Sequence, residues 1–313
     1  MSWANAESGQ LEAMRRRDLL VLGSLPALGA LPALAAGKAG RFDLSGYQRT
    51  FSTDFSNRRR PLMRVDGGPF STRYEEWGGL RTLPGNKELE LYVDPGFVPA
   101  HGGTDKLGRA DAPAGSGGKP LGVDPFSIRD GALEISAIPT PPALQEMVDR
   151  PYLSGMISTD RFFAQRYGYF EMRARLPAGL GLWPAFWLVS KTQLEHIEID
   201  VMEAIGGDTA HVYQSTHIKA SRGKGIHVRV GGDGFDYATA SHSYGLAWTP
   251  DELVFTIDGV ETTRTDGRPF RDAPPMYMIA NLAVGGDWAG TPDSDTHFPA
   301  VMRIDYIRAY RPK

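Results

Sequence analysis

Three carboxylates crowd the short segment Glu198–Glu203, which reads Glu-Ile-Asp-Val-Met-Glu. The alternation of acidic and apolar residues is typical of a strand, in which successive side chains point to opposite faces. Glu198 and Asp200 therefore share a face, but Glu203 has the wrong parity for it. One extra residue at Val201-Met202, forming a β-bulge, would return Glu203 to the side of the other two. The segment is predicted to be a bulged strand with all three carboxylates on one face.

The spacing of these carboxylates indicates the chemistry of glycosidic bonds. With the bulge, Glu198 and Glu203 are separated by roughly 13 Å between Cα atoms, at about 3.3 Å per strand position. Each side chain reaches about 4 Å toward the other, which leaves the carboxyl groups roughly 5 Å apart. Retaining glycosidases hold a nucleophile and an acid/base at about that separation. A calcium site is an alternative, because carboxylate clusters suit hard cations. A solvated acidic face fits less well, because Ile197, Ile199 and Val201 are apolar.

The acidic segment resembles the catalytic motif of glycoside hydrolase family 16, in the bulged form typical of laminarinase-like, agarase-like and carrageenase-like members. Licheninases usually carry the unbulged form. The resemblance covers roughly residues 47–312. It includes further segments in the family's order: Tyr167–Pro177, Gly181–Leu188, Asn281–Gly290 and Ile304–Tyr310.

This resemblance implies roles for the three carboxylates. Glu198 matches the nucleophile, Asp200 the assisting carboxylate and Glu203 the acid/base. The reaction would pass through a covalent glycosyl-enzyme intermediate that water then hydrolyses. No cofactor is expected for catalysis.

Nine further residues are expected to contact sugar. Trp183 and Trp187 differ by four positions and would share a strand face, where aromatic rings can stack on sugars; core packing is the alternative. Glu171 and Arg173 share the polar face of their strand, and the resemblance implies that they line the cleft; simple solvation is the alternative. The resemblance also extends the set to Asn86, Glu88, His217, Asn281 and Trp288.

Three positions have either an alternative interpretation or a departure from the family pattern. His217 follows the catalytic strand and is expected beside the acid/base, although a lone histidine is usually structural. Asp305, on the last predicted strand, is expected by resemblance to help hold a structural calcium ion, with pairing to a nearby arginine as the alternative. Glu90 stands where the family often has glutamine, which is a departure from the family pattern.

Turns and alternating strands are expected to position these residues. The 313 residues include 37 glycines, 23 prolines and no cysteine, so disulfides and thiolate metal sites are excluded. Asp258-Gly259 separates two apolar runs and predicts a two-residue hairpin. Many short strands and no long amphipathic helix indicate an all-β sandwich or jelly roll. With the resemblance, the expected fold is a concanavalin A-like jelly roll of two antiparallel sheets with a concave substrate cleft.

The first 36 residues are interpreted as a twin-arginine-like export signal. Arg15-Arg16-Arg17 precedes an apolar run that ends in small residues. A membrane anchor is the alternative, and Met14 is a candidate initiator in place of Met1. Residues 37–313 are expected to form a single catalytic domain, secreted or periplasmic, monomeric and without contact to a membrane. The net charge of -3 argues against nucleic acid as a partner.

The chain is predicted to be a retaining endo-β-glycosidase. Its expected substrate is a polysaccharide, a β-glucan, in which it hydrolyses internal β-1,3 or mixed β-1,3/1,4 linkages. An endo-glycanase of a bacterial exopolysaccharide and a transglycosylase are enzymatic alternatives. A lectin-like carbohydrate-binding module on the same fold is the non-enzymatic alternative.

Overall fold

The computed structural model describes residues 41–55, 70–101, 103–105, 108–113, 116–192, 197–219 and 221–313. The predicted export signal of residues 1–36 lies outside them. Within these ranges the chain forms short 3-10 helices at Glu75–Trp77, Pro84–Asn86, Pro142–Leu144 and Arg268–Phe270, and a one-turn helix α1 at Gly286–Ala289. The strands there are β1 (Tyr47–Thr53), β2 (Glu90–Tyr92), β3 (Phe126–Arg129), β4 (Ala132–Pro139), β5 (Tyr152–Ser154), β6 (Met156–Ser158), β7 (Gly168–Arg175), β8 (Leu182–Ser190), β9 (Glu198–Glu203), β10 (His211–His217), β11 (His227–Gly231), β12 (His242–Trp248), β13 (Glu252–Ile257), β14 (Val260–Asp266), β15 (Met276–Val284) and β16 (Ala300–Pro312).

The described strands form two sheets. The ten-stranded sheet runs β14-β13-β12-β7-β16-β4-β5-β2, with β1 paired to β16 and β3 to β4. The six-stranded sheet runs β11-β10-β9-β8-β15-β6. The predicted all-β sandwich is therefore confirmed, with one difference: β2 and β5 pair in parallel.

One apolar core joins the two sheets. Phe170 and Met172 reach it from β7 of the larger sheet, and Ile199 and Met278 reach it from β9 and β15 of the smaller sheet. Each is at most 1% exposed. Burying a large apolar side chain contributes about 1.5–3 kcal/mol, so this core fixes which face of each strand points outward.

The predicted hairpin is present between β13 and β14. Asp258 and Gly259 both have positive φ, 52° and 75°, as a type I′ turn requires. The Asp258 carboxylate also accepts a hydrogen bond from the Ser243 main-chain N–H at 2.9 Å.

The outward side of the six-stranded sheet, called here the cleft face, is bordered by residues 70–92. Ser71 bridges to Ser158 at the edge strand β6, and Tyr74 and Trp77 then pack on Trp187 of β8. No helix among the described residues has both the length and the apolar character needed to cross a membrane.

Candidate active site

The predicted β-bulge is present in β9. On the neighbouring strand β8, Ala185 pairs with Glu203 and Phe186 with Met202, but Trp187 pairs with Asp200. Val201 is therefore the extra residue, and its side chain points into the core. Because the apolar side chains of β9 pack into the core, the carboxylates of this strand lie on the cleft face.

The register also sets the distance between the two glutamates. Glu203 pairs with Ala185 and Glu198 with Val189, four positions along β8. At about 3.3 Å per position, their Cα atoms are roughly 13 Å apart. Side chains that lean toward each other across this span bring their carboxyl groups within roughly 5 Å. The arrangement inferred from the sequence thus agrees with the ladder.

His217 contacts the carboxylates at one end of the strand. Its Nε2 lies 3.0 Å from Asp200 Oδ2 and 3.9 Å from Glu198 Oε1. The prediction that His217 lies beside Glu203 is wrong, because the register pairs His217 with Glu198 and pairs Tyr213 with Glu203. An Nε2–H here would donate a hydrogen bond to Asp200 and hold it next to Glu198.

Glu203 lies at the opposite end, among aromatic rings. The Trp183 indole Nε1 donates a hydrogen bond to Glu203 Oε1 at 3.1 Å. Trp288 of α1 packs edge-on against both Trp183 and Tyr213, with ring centroids 5.0 and 4.8 Å apart. His227 stacks on Tyr213 at 5.1 Å. Trp288 therefore lies near the acid/base candidate.

Tyr213 and His227 are site residues that the sequence interpretation missed. Tyr213 shares the cleft face with His217, four residues away on β10, and His227 pairs with Ser215 from the edge strand β11. The period-two spacing of Tyr213, Ser215 and His217 places these side chains on one strand face, and this was the sequence feature that could have identified Tyr213.

A hydrogen-bond relay supports the other side of the cleft. Trp187 Nε1 donates to Asn281 Oδ1 at 2.8 Å, and Asn281 Nδ2 donates to the Tyr92 hydroxyl at 3.0 Å. Trp187 is only 3% exposed because Tyr74 and Trp77 pack on it. Its ring has little free surface for a sugar, so core packing, the alternative considered above, describes it better than stacking.

A small cavity at the cleft face brings together six of the predicted residues. Glu88 borders it, and Asn86 lies behind, donating from Nδ2 to Glu88 Oε1 at 2.8 Å. The cavity is lined by Tyr74, Leu83, Glu88, Trp183, Ala185, Trp187, Asp200, Glu203, Asn281 and Ala283. A larger cavity of about 280 Å³ shares none of these residues. Each of its three arginines is paired with a carboxylate: Arg73 and Arg81 with Asp111, and Arg161 with Glu75.

Glu171 and Arg173 do not belong to the site. They lie on β7 of the ten-stranded sheet and point away from the core that Phe170 and Met172 enter. Tyr169 donates a hydrogen bond to Glu171 at 3.3 Å. Burial raises the pKa of Glu171, while hydrogen bonds from Tyr306 and Tyr169 act against the shift. The prediction that the pair lines the cleft is wrong because strand alternation identifies a polar face but not the sheet that carries it.

The surroundings of Asp305 do not fit calcium. Arg173 Nε donates to Asp305 Oδ2 at 3.1 Å, and Arg303 Nε lies 4.0 Å from the other oxygen. Calcium takes six to eight oxygen ligands, whereas arginines face this carboxylate. Among the described residues, the three-residue group suited to a metal is Glu198, Asp200 and His217, with ligand atoms within 4.8 Å of one another. A cation there would occupy the carboxylates that sugar chemistry needs.

The position of Arg173 gives a testable prediction. Replacing Arg173 with glutamine is expected to leave kcat/KM within about twofold, because Arg173 lies on the ten-stranded sheet, away from the cleft face. The lost ion pair with Asp305 is partly exposed and contributes only about 0–1 kcal/mol to stability. Replacing Asn281 with alanine is the matched cleft-face change and is expected to raise KM, because it removes the partner of Trp187. Steady-state kinetics of both variants test this; a tenfold loss for the Arg173 variant would place that residue in the substrate path after all.

Comparison with known proteins identifies the family. The sequence profile described as "Glycosyl hydrolases family 16" matches residues 132–308. The chain is 36% identical over 274 residues to "Endo-1,3-1,4-beta-glycanase EglC" of Rhizobium meliloti (strain 1021), covering 86% of this chain and 52% of that protein. It is 33% identical over 187 residues to "Beta-glucanase" of Rhodothermus marinus, covering 52% and 63%.

A solved structure agrees with the fold. The laminarinase catalytic domain from Thermotoga maritima MSB8 superposes with a TM-score of 0.65 at 26% identity, covering 86% of this chain and all of that one. Two sheets with three carboxylates on one bulged strand, together with the profile match, define the class. The chain belongs to glycosyl hydrolases family 16. It spans about half the length of the Rhizobium meliloti relatives.

Proposed function

We propose that the chain is a retaining endo-β-glycosidase that hydrolyses internal β-1,3 or mixed β-1,3/1,4 linkages of a glucan. The observation that carries this proposal is the bulge at Val201, which puts Glu198 and Glu203 on the cleft face four ladder positions apart. Retention requires two carboxyl groups about 5–5.5 Å apart, and this spacing permits that separation.

The two glutamates divide the reaction. The Glu198 carboxylate attacks the anomeric carbon while the Glu203 carboxylic acid gives its proton to the departing glycosidic oxygen. Glu203, now a carboxylate, then takes a proton from water, whose oxygen attacks the anomeric carbon and releases Glu198. Trp183 Nε1, 3.1 Å from Glu203 Oε1, keeps one oxygen of that carboxyl group fixed during both steps.

Asp200 and His217 hold the nucleophile side. Asp200 lies between the glutamates in sequence, is 1% exposed and has the His217 imidazole 3.0 Å away. Buried carboxylates repel each other. A hydrogen bond donated by His217 to Asp200 offsets the repulsion between the Asp200 and Glu198 carboxylates. We assign both to positioning and charge balance during formation of the glycosyl-enzyme.

Similarity supports β-glucan as the substrate class. The relatives named above are an endo-1,3-1,4-β-glycanase and a β-glucanase, and the superposed structure is a laminarinase. The cleft residues add aromatic rings and hydrogen-bonding groups such as Asn281 and Trp183, which suit an uncharged sugar chain.

The stereochemistry of the product tests the proposal. Proton NMR during hydrolysis of laminarin is expected to show the β-anomer of the new reducing end first, with the α-anomer appearing only by mutarotation. Chromatography should show oligosaccharides of several lengths from the start, as internal cleavage requires. Products longer than a defined oligosaccharide substrate would instead favour transglycosylation, and initial appearance of the α-anomer would refute a retaining mechanism.

A further inference from the structure

Glu88 is held rigidly at the border of the cleft. Its side chain is largely buried; Oε1 accepts a hydrogen bond from Asn86 Nδ2 at 2.8 Å and Oε2 accepts one from the Leu83 main-chain N–H at 3.2 Å. Two donors directed at one carboxyl group favour its ionised form. Glu88 is therefore expected to present carboxylate lone pairs toward the cleft, where sugar hydroxyl groups can donate to them.

A second carboxyl group, that of Glu90, contacts the Glu88 side chain. Glu90, the first residue of β2, has no solvent exposure. Its Oε2 accepts a hydrogen bond from the Val284 main-chain N–H at 2.7 Å. Within the described part of the chain, no N–H or O–H donates to Oε1, although that oxygen is buried. The charged group in hydrogen-bonding contact with Glu90 is the carboxyl group of Glu88.

Two carboxyl groups in contact inside a protein cannot both ionise without a large electrostatic penalty. Burial, followed by the charge and hydrogen bond of Glu88, raises the pKa of Glu90 well above its usual range. The Tyr92 and Tyr74 phenols nearby supply no positive charge. The Arg150 guanidinium is directed to the main-chain carbonyl of Glu88 by a 3.1 Å hydrogen bond from Nη1.

We propose that Glu90 is a positioning residue, a neutral carboxylic acid whose Oε1–H donates a hydrogen bond to the Glu88 carboxylate and fixes Glu88 for contact with the substrate. One proton serves both groups: Oε1 gains an acceptor, and Glu88 gains a donor in addition to Asn86 and Leu83. This inference rests on the proposed function, since it assigns a role in the same cleft. Glu90 itself has no exposed surface and acts only through Glu88.

The consequence is a pH-dependent KM. A group whose pKa is raised by folding stabilises the folded cleft while it is protonated, and this contribution is lost as the pH rises through the raised pKa. At a pH above this raised pKa, Glu90 becomes a carboxylate that repels the Glu88 carboxylate. Substrate affinity and thermal stability should both fall on the alkaline side, whereas kcat should change less because the reacting atoms are untouched.

Two substitutions in the full chain test the proposal. Glu90→Gln keeps the shape and supplies an amide donor at every pH, so its KM is expected to stay low and flat where the wild-type KM rises severalfold. Glu90→Leu supplies no donor, so its KM is expected to be raised about tenfold at all pH values. Glu261→Gln, an exposed residue of β14, removes one carboxylate elsewhere and should reproduce the wild-type pH profile.

Melting temperature against pH gives a readout that needs no substrate. The wild-type Tm should fall at alkaline pH more steeply than that of Glu90→Gln. If Glu90→Gln shows the wild-type alkaline rise in KM and the wild-type fall in Tm, the proposal is overturned. An inactive wild-type protein would contradict the proposed function, while the Tm comparison would still decide the protonation state of Glu90.

Discussion

Replacing Glu198 with glutamine is expected to lower kcat on a β-glucan by about 10⁴-fold or more, while the affinity for oligosaccharide stays within a few-fold. The amide has nearly the shape of the carboxylate but cannot form the ester bond to the anomeric carbon. Glu198 is fully buried on the cleft face of β9, and glutamine has nearly the same volume, so the substitution removes chemistry with little change in packing. Steady-state kinetics and calorimetric titration with a β-1,3-glucan oligosaccharide measure the two quantities separately.

The controls separate chemistry from folding. Glu261→Gln makes the same chemical change on an exposed residue that forms an ion pair with Arg264, and it should retain wild-type kcat. The melting temperature of Glu198→Gln should be equal to or above that of the wild type, because one charge is removed from a group of buried carboxylates. More than a tenth of wild-type activity in the purified variant would show that another group attacks the sugar.

Parity explains why the sequence predicted the bulge correctly. Ile199 and Val201 must enter the core and Asp200 must not, so only an extra residue lets Glu203 share a face with Glu198. This reasoning is local, because it uses the two-residue period of one strand. Alternation and turn signals such as Asp258-Gly259 likewise indicated an all-β sandwich or jelly roll, and the family resemblance added the two antiparallel sheets.

Contacts between strands were harder to predict. Arg173 was expected in the cleft because the family resemblance implied it for the polar face of this strand, yet β7 lies in the other sheet and Arg173 pairs with Asp305. His217 was placed on the right strand but at the wrong end, because only the register with β9 decides whether it meets Glu198 or Glu203. Tyr213 was missed for the same reason.

The two cleft tryptophans have a role that neither sugar stacking nor core packing, the alternatives that the sequence left open, describes fully. Trp183 is 7% exposed and Trp187 3%, so most of each ring packs against neighbours. Each indole N–H nevertheless fixes a polar group at the site, Glu203 in one case and Asn281 in the other. A sequence pattern gives the residue type and the face, but these hydrogen bonds depend on rotamers that tertiary packing selects.

Replacing Glu203 with alanine should produce a defect that depends on the leaving group. On a β-glucan, whose alkoxide leaving group needs a proton, kcat is expected to fall by about 10²–10⁴-fold. On an aryl glycoside with a dinitrophenyl leaving group, the first step needs no acid, so a burst of phenol should be followed by slow turnover. The burst is expected because the glycosyl-enzyme on Glu198 accumulates when no base activates water. Stopped-flow absorbance measures the released phenol.

Azide then distinguishes the two glutamates. A small anion that needs no deprotonation can enter the space vacated by the Glu203 side chain, attack the glycosyl-enzyme and restore turnover of the aryl substrate, with a β-glycosyl azide as product. The Glu198→Gln variant forms no glycosyl-enzyme, so azide should give it no β-azide. Equal losses on both substrates, with no effect of azide on the Glu203 variant, would contradict the assignment of Glu203 as the acid/base. The pattern expected here requires a nucleophile and a separate acid/base, which is the division of labour that the bulge at Val201 makes possible.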